Sequence, residues 1–245
     1  MNFTEPITLS KFGAKADELR LLIRPLLVEL DTLPMKYASK VDRYTYGSYS
    51  TLHRGFYCPS LVDDIFSNQR RGREVKAPRK KPMRFRYGFS NGELIQVETI
   101  YNGKISGIEY LMKTEGVRVG ATFGTKHNLV AIAQEKFDKG VLKEYHMMYF
   151  NGAAGQPSEY FCERYAYDSQ GLFACNYQEF RPIPRDAPIR IPGFDADYVL
   201  RNMCFHFERC EGMLKSYTAT IFQEGQPPKM DNNGKPYPVL VKRKA

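Results

Sequence analysis

Ser90-Asn91-Gly92-Glu93-Leu94-Ile95-Gln96-Val97-Glu98-Thr99-Ile100-Tyr101-Asn102-Gly103-Lys104 sets a strand-forming run between two Asn-Gly pairs. Asn and Gly accept the positive φ of a tight primed turn, and β-branched and aromatic side chains suit a pleated surface. The stretch reads as one strand with a hairpin at each end. Working outward, further turns stand at Asp138-Lys139-Gly140, Asn151-Gly152 and Asp168-Ser169-Gln170-Gly171. Strands are expected at about 84–89, 93–101, 105–113, 117–123, 128–137, 141–150, 158–167 and 171–180, each pairing with its neighbour in sequence. From Val141 to Phe150 the odd and even positions both carry apolar residues, so neither face is cleanly polar and both are expected to be partly covered.

Ahead of the meander, Leu19, Leu22, Ile23, Leu26, Leu27 and Leu30 recur at helical period. Ser10 or Asp17 supplies an N-cap, Pro25 is expected to kink or split the helix, and Thr32-Leu33-Pro34 to end it. Residues 42–58 have strand or loop character, and Ser60-Leu61-Val62-Asp63 has capping-box form and opens a short helix to Asn68. Beyond the meander, Arg181 to Pro192 holds four prolines and is expected to run extended across the surface. Asp195 to Cys210 fits a helix, or a hairpin turning at Glu211-Gly212, and Leu214–Phe222 fits a further strand. The expected class is α+β, mainly β. A large antiparallel meander sheet, open or partly closed, carries an N-terminal helical segment and a C-terminal helix or hairpin. Within one compact domain, residues 1–69 pack on the sheet, 70–83 form a basic linker, 84–223 hold the meander with its Pro-rich crossover at 181–192, and 224–245 form a loose basic tail.

The formal charge of +9 is unevenly placed. Arg70, Arg71, Arg73, Lys76, Arg79, Lys80 and Lys81 cluster around one Glu, and the tail ends Lys242-Arg243-Lys244. In segments of loop character such charge reads first as solvated linker and tail. It is also the footprint of a nucleic-acid contact, since each cation on a phosphate adds salt-dependent affinity. The five cysteines follow no paired metal spacing, the start lacks a basic and apolar leader, and the Leu19–Leu30 stretch is too short and too charged to cross a bilayer. A cytosolic protein with reduced thiols, no cofactor, no metal and no membrane is expected.

Chemistry-bearing residues are scattered. Cys204-x-His206 with Cys210 is the one cluster suggesting metal, and on a strand Cys204 and His206 share a face. Cys58 with His53, or Cys162 with His146, would be a nucleophile–base pair if the fold brought them together. That leaves a β-barrel enzyme, its site assembled from scattered residues, as a further reading. Glu159 and Glu163 share a strand face and read as edge charges that keep a sheet soluble.

The units Phe89-Ser90-Asn91-Gly92-Glu93-Leu94 and Tyr101-Asn102-Gly103-Lys104-Ile105-Ser106-Gly107 resemble the repeats of bacterial MORN-type antitoxin proteins. Tyr165-Ala166-Tyr167-Asp168-Ser169-Gln170-Gly171-Leu172 resembles a Tyr-Asp repeat of polymorphic-toxin systems, and residues 84–180 are similar to β-meander immunity proteins. The resemblance implies a non-catalytic protein that holds a partner, such as a toxin, against an extended sheet. Tyr145, Tyr149, Tyr165 and Tyr167 are the expected contacts, as exposed aromatics of the middle strands.

Overall fold

Asn91 and Gly92 sit at φ +50° and +79°, Asn102 and Gly103 at +48° and +73°, and Lys139 and Gly140 at +50° and +81°. Positive φ at both central residues is the primed geometry that matches the twist of the flanking strands. Each such turn reverses the chain onto the strand before it. The computed structural model describes residues 9–66, 71–77, 83–151, 155–169, 171–182, 198–210 and 213–222. Among them the helices are α1 (Leu9–Leu22), α2 (Arg24–Val28), α3 (Leu33–Ala38) and α4 (Leu61–Phe66). The strands are β1 (Arg43–Ser48), β2 (Glu74–Val75), β3 (Met83–Ser90), β4 (Glu93–Tyr101), β5 (Lys104–Thr114), β6 (Val117–Gly124), β7 (Leu129–Asp138) and β8 (Val141–Asn151). They continue with β9 (Gln156–Asp168), β10 (Gly171–Pro182), β11 (Tyr198–Cys210) and β12 (Met213–Phe222).

From β12 back to β3 every strand lies beside its sequence neighbour; β1 then pairs with β3, and β2 with β1, all antiparallel. β12 and β2 are the two edges of this 12-stranded sheet, so it is open. Register fixes two faces. Tyr110, Ala121, Ile132, Met148, Tyr160 and Phe180 are paired in one row across β5 to β10. Leu111, Gly120, Ala133, Met147, Phe161 and Glu179 form the neighbouring row on the opposite face.

The first face is covered by α1–α3. Phe12, Ala16, Leu19, Ile23, Leu26, Leu33 and Tyr37 recur every three, four or seven residues and pack onto Tyr110, Ile132, Met148, Tyr160 and Phe180. Pro25 does split the expected helix: α1 ends at Leu22, and Pro25 lies in the first turn of α2, where its missing N–H leaves no partner wanting. Pro34 plays the same part in α3, so Thr32-Leu33-Pro34 begins a helix rather than ending one. The second face carries Ala131, Ala133, Tyr145, Met147, Phe161 and Phe205, with Phe85, Tyr87, Phe89 and Val97 toward the β3 side. Leu52, Cys58 and Val62 of the segment after β1 are buried as well, and Val62 packs with that second face.

Three expectations change here. The stretch 70–83 is not a free linker over its described part, because Glu74 and Val75 pair with Gly47 and Tyr46 as edge strand β2. The C-terminal alternatives, helix or hairpin, narrow to the hairpin's paired strands over the described residues: β11 and β12 pair from Asn202↔Phe222 to Cys210↔Met213. Ser10 lies inside α1 rather than capping it. The Pro-rich crossover after Pro182, Asp195, the Glu211-Gly212 turn and the 224–245 tail lie outside the described residues.

Candidate functional site

The segment after β1 is built to turn tightly against the sheet. Ser50 Oγ accepts the N–H of Leu52 at 3.1 Å, and Leu52 O accepts the N–H of Gly55 at 2.9 Å. Arg54 and Gly55 both take positive φ, +59° and +52°. Tyr87 closes the turn from the sheet: its hydroxyl donates to Arg54 O at 3.0 Å and accepts the N–H of Phe56 at 3.1 Å. The Arg54 side chain is thereby laid on the second face at 1% exposure.

There it meets two carboxylates. Arg54 Nε and Nη2 reach Glu109 at 2.8 and 2.7 Å, and Nη1 donates to Glu135. Arg118 caps Glu135 from the other side, with Nε 3.0 Å from Oε1 and Nη2 on Oε2. His53 Nε2 lies 3.2 Å from Glu109 Oε2 in a poorly aligned contact, while Nδ1 is 3.0 Å from the Tyr145 hydroxyl. Burial opposes charge on all three central groups. The neighbouring opposite charges outweigh it, holding Glu109 and Glu135 below the usual carboxylate range and Arg54 well above its own. Glu109 and Glu135 therefore direct their oxygens at guanidinium groups. The arrangement is a clamp that fixes the segment to β5 and β7, and its carboxylates are occupied rather than poised as acid and base.

A second pin lies further along. Ser60 Oγ accepts the N–H of Asp63 at 2.9 Å, the cap that the capping-box pattern calls for, and donates to Glu163. Glu163 also accepts the N–H groups of Leu61 and Val62 at 3.0 and 3.1 Å and the Tyr165 hydroxyl at 2.7 Å. Glu163 is 0% exposed, so its reading as a soluble edge charge is corrected: β9 is an interior strand, and the second face is covered at this point. Burial pushes its carboxyl up to about 7, although Ser60, Tyr165 and Val62 pull it down. A carboxyl raised above its unfolded value of 4.5 stabilises the fold below that value, and the stabilisation is lost as pH rises to about 7. Glu163→Gln, which does not titrate, is therefore expected to gain stability relative to the unaltered protein as pH goes from 4.5 to 7. Thermal melts of both across that range check this; parallel curves would refute the linkage.

On the first face, His146 is held between Glu144 and Tyr160, with Nε2 2.9 Å from Glu144 Oε2 and Nδ1 2.7 Å from the Tyr160 hydroxyl. Burial lowers the His146 pKa. Cys162 is its cross-strand partner, so the fold does bring that pair together. Burial pushes the Cys162 thiol up to about 11 and the Cys58 thiol up to about 12, which leaves both as thiols at neutral pH. Cys204 and His206 share a strand face as expected, Sγ 3.9 Å from Nδ1. Among the described residues no group of three metal-ligating side chains gathers.

The four tyrosines do not form an exposed strip. Tyr145 is fully buried and Tyr165 is 8% exposed, while Tyr149 and Tyr167 are half-buried. The cause is the segment 50–63, which covers the face they stand on: Tyr145 bonds His53, and Tyr165 reaches Pro59 O at 3.3 Å. Of the basic cluster, Arg71 is turned inward, donating to Cys58 O and to Ser60 O at 3.2 Å. Arg73 and Lys76 are exposed beside β2, and Arg70, Arg79, Lys80 and Lys81 lie outside the described residues. The clamp residues Arg54, Glu109 and Glu135 escaped the sequence reading. The available signal was a charged residue at an inward position of an apolar strand, on β5 and again on β7.

Among the described residues the three most exposed large apolar side chains lie on the helical layer, ahead of Tyr49 and Tyr101 elsewhere. Leu21, Val28 and Met35 are 67%, 79% and 79% exposed, one on each of α1, α2 and α3. Each follows a buried residue (Leu19, Leu26, Leu33) by two positions, about 200° round a helix, and so points away from the sheet. The exposed charges of the layer are of both signs, Lys11, Arg24 and Lys36 with Asp17, Glu18, Glu29 and Asp31. No protein-family model matches the chain, and no curated protein matches it.

Proposed function

We propose that the protein acts by binding a partner protein through the outer surface of α1–α3, without chemistry on that partner. The observation that carries this reading is the apolar series Leu21, Val28 and Met35, repeated on three successive helices whose other sides are already buried. Large apolar side chains held outward in series favour an interface. Neutralising a toxin, as an immunity or antitoxin protein does, is the specific form of this role that the resemblance of the β-hairpin units supports.

Leu21→Asp/Val28→Asp/Met35→Asp is the test, since all three positions are exposed and the fold is expected to survive. The unaltered protein, immobilised and washed with extract of its own cells, is expected to retain one partner protein. Purified, that protein is expected to form a complex of fixed stoichiometry that the triple variant does not form. Equal binding by the triple variant would overturn the proposal. So would retention on single-stranded DNA that Arg73→Ala/Lys76→Ala abolishes, which would point to nucleic acid instead.

A further inference from the structure

A cavity of about 270 Å³ opens between the helical layer and one end of the sheet. Leu30 and Pro34 form its helical wall, Ile105, Ile108 and Phe123 its sheet wall, and Tyr110 also lines it. Gly107 and Gly124, directly opposite in register, can bring only backbone to that wall. Thr125 and His127 stand exposed at its rim. The rim is ordered: the N–H of His127 donates to Gly124 O at 3.0 Å, and that of Gly124 to Asn128 O at 2.9 Å.

Tyr110 supplies the polar feature. It is 2% exposed, and its ring lies 4.7 Å from that of Tyr37 and 6.2 Å from that of Phe123. Tyr37 spends its own hydroxyl on Leu111 O at 3.2 Å, closing α3 onto β5. The Tyr110 hydroxyl makes no hydrogen bond among the described residues. Burial pushes that phenol up to about 12, so it is a donor throughout the neutral range. The hydroxyl is not among the fully buried polar atoms left without a partner, so it meets the open cavity, where an acceptor on a bound molecule can reach it.

We infer that this cavity is a binding site for a small planar, apolar molecule carrying one hydrogen-bond acceptor, which the Tyr110 hydroxyl recognises. Size favours two fused rings: a dry cavity of about 150 Å³ takes benzene, and this one is larger. The walls supply apolar contact along both faces of such a ring. The site is separate from the outward residues Leu21, Val28 and Met35, and it stands whether or not they hold a partner.

Quinoline and naphthalene, matched in shape and differing by one ring acceptor, are the probes, titrated by calorimetry and by ligand-observed NMR. Quinoline is expected to bind the unaltered protein roughly five- to tenfold more tightly than naphthalene, the span of one net hydrogen bond. Tyr110→Phe is expected to erase that preference while still binding both. Ile105 is 40% exposed at the wall, so Ile105→Trp is expected to fill the space and abolish binding of both with the melting temperature unchanged. Equal affinity for the two probes in the unaltered protein, or quinoline binding that survives Ile105→Trp, would overturn the assignment.

Discussion

Arg54→Ala is expected to lower the free energy of unfolding by about 3–5 kcal/mol, because removing one member of a buried ion pair leaves its partners charged and dry. Glu109 and Glu135 are 3% and 1% exposed, so water cannot replace the guanidinium. Urea titration at neutral pH checks the size. The loss should also depend on pH with a definite sign. Both carboxyls sit below their ordinary value of 4.5 when Arg54 is present. That stabilisation exists above 4.5 and is lost as pH falls through the depressed values. The gap between Arg54→Ala and the unaltered protein is therefore widest near neutrality and narrows in acid. A loss below about 1 kcal/mol, the scale of an exposed pair, would show that the clamp is not dry. Replacing the buried set, Arg54→Met with Glu109→Gln and Glu135→Gln, should recover much of the loss, since the one charge left without its partner, Arg118, is 30% exposed and can be hydrated.

Gly120→Ala is expected to damage the same clamp from the sheet side. Gly120 stands opposite Leu111 on β5 and Ala133 on β7, between the strands that carry Glu109 and Glu135. A Cβ there would stand 2.6 Å from Arg54 Nη2 and press on the Glu109 carboxylate. Overpacking alone costs about 1–3 kcal/mol; here it also separates an ion pair, so the total should approach that of Arg54→Ala. The decisive comparison is the double variant. Because both changes break one contact, Arg54→Ala/Gly120→Ala should be scarcely worse than Arg54→Ala alone, and additive losses would refute the shared cause.

The meander was legible because its signals are local. Asn91-Gly92 and Asn102-Gly103 announce their turns, and every expected strand from 84–89 to 171–180 lies within an observed one to about a residue at each end. Leu19, Ile23 and Leu26 announce the helical stripe by period, though Leu27 of the same series is exposed, and Ser60 announces its helix by its cap. What lies over each face is a tertiary fact with no local signature. Alternation shows that Tyr145 and Met147 share a face, and nothing in their neighbourhood says that residues fifty to a hundred positions earlier will cover it. Tyr145 and Tyr165 thus read as exposed rings, and Glu163 as a soluble edge charge, when a distant loop buries all three. The same gap hid Arg54, whose partners lie 55 and 81 residues away.

The order of parts along the chain has a consequence for biosynthesis. Both coverings, the helices before residue 39 and the loop around Arg54, leave the ribosome ahead of the strands they cover. Until β5 and β7 emerge, Leu19, Ile23 and Leu26 have no surface to dock on and the Arg54 guanidinium has no counterion. The nascent amino-terminal third thus waits as a sticky, partnerless intermediate, the stage at which a growing polypeptide depends most on chaperones.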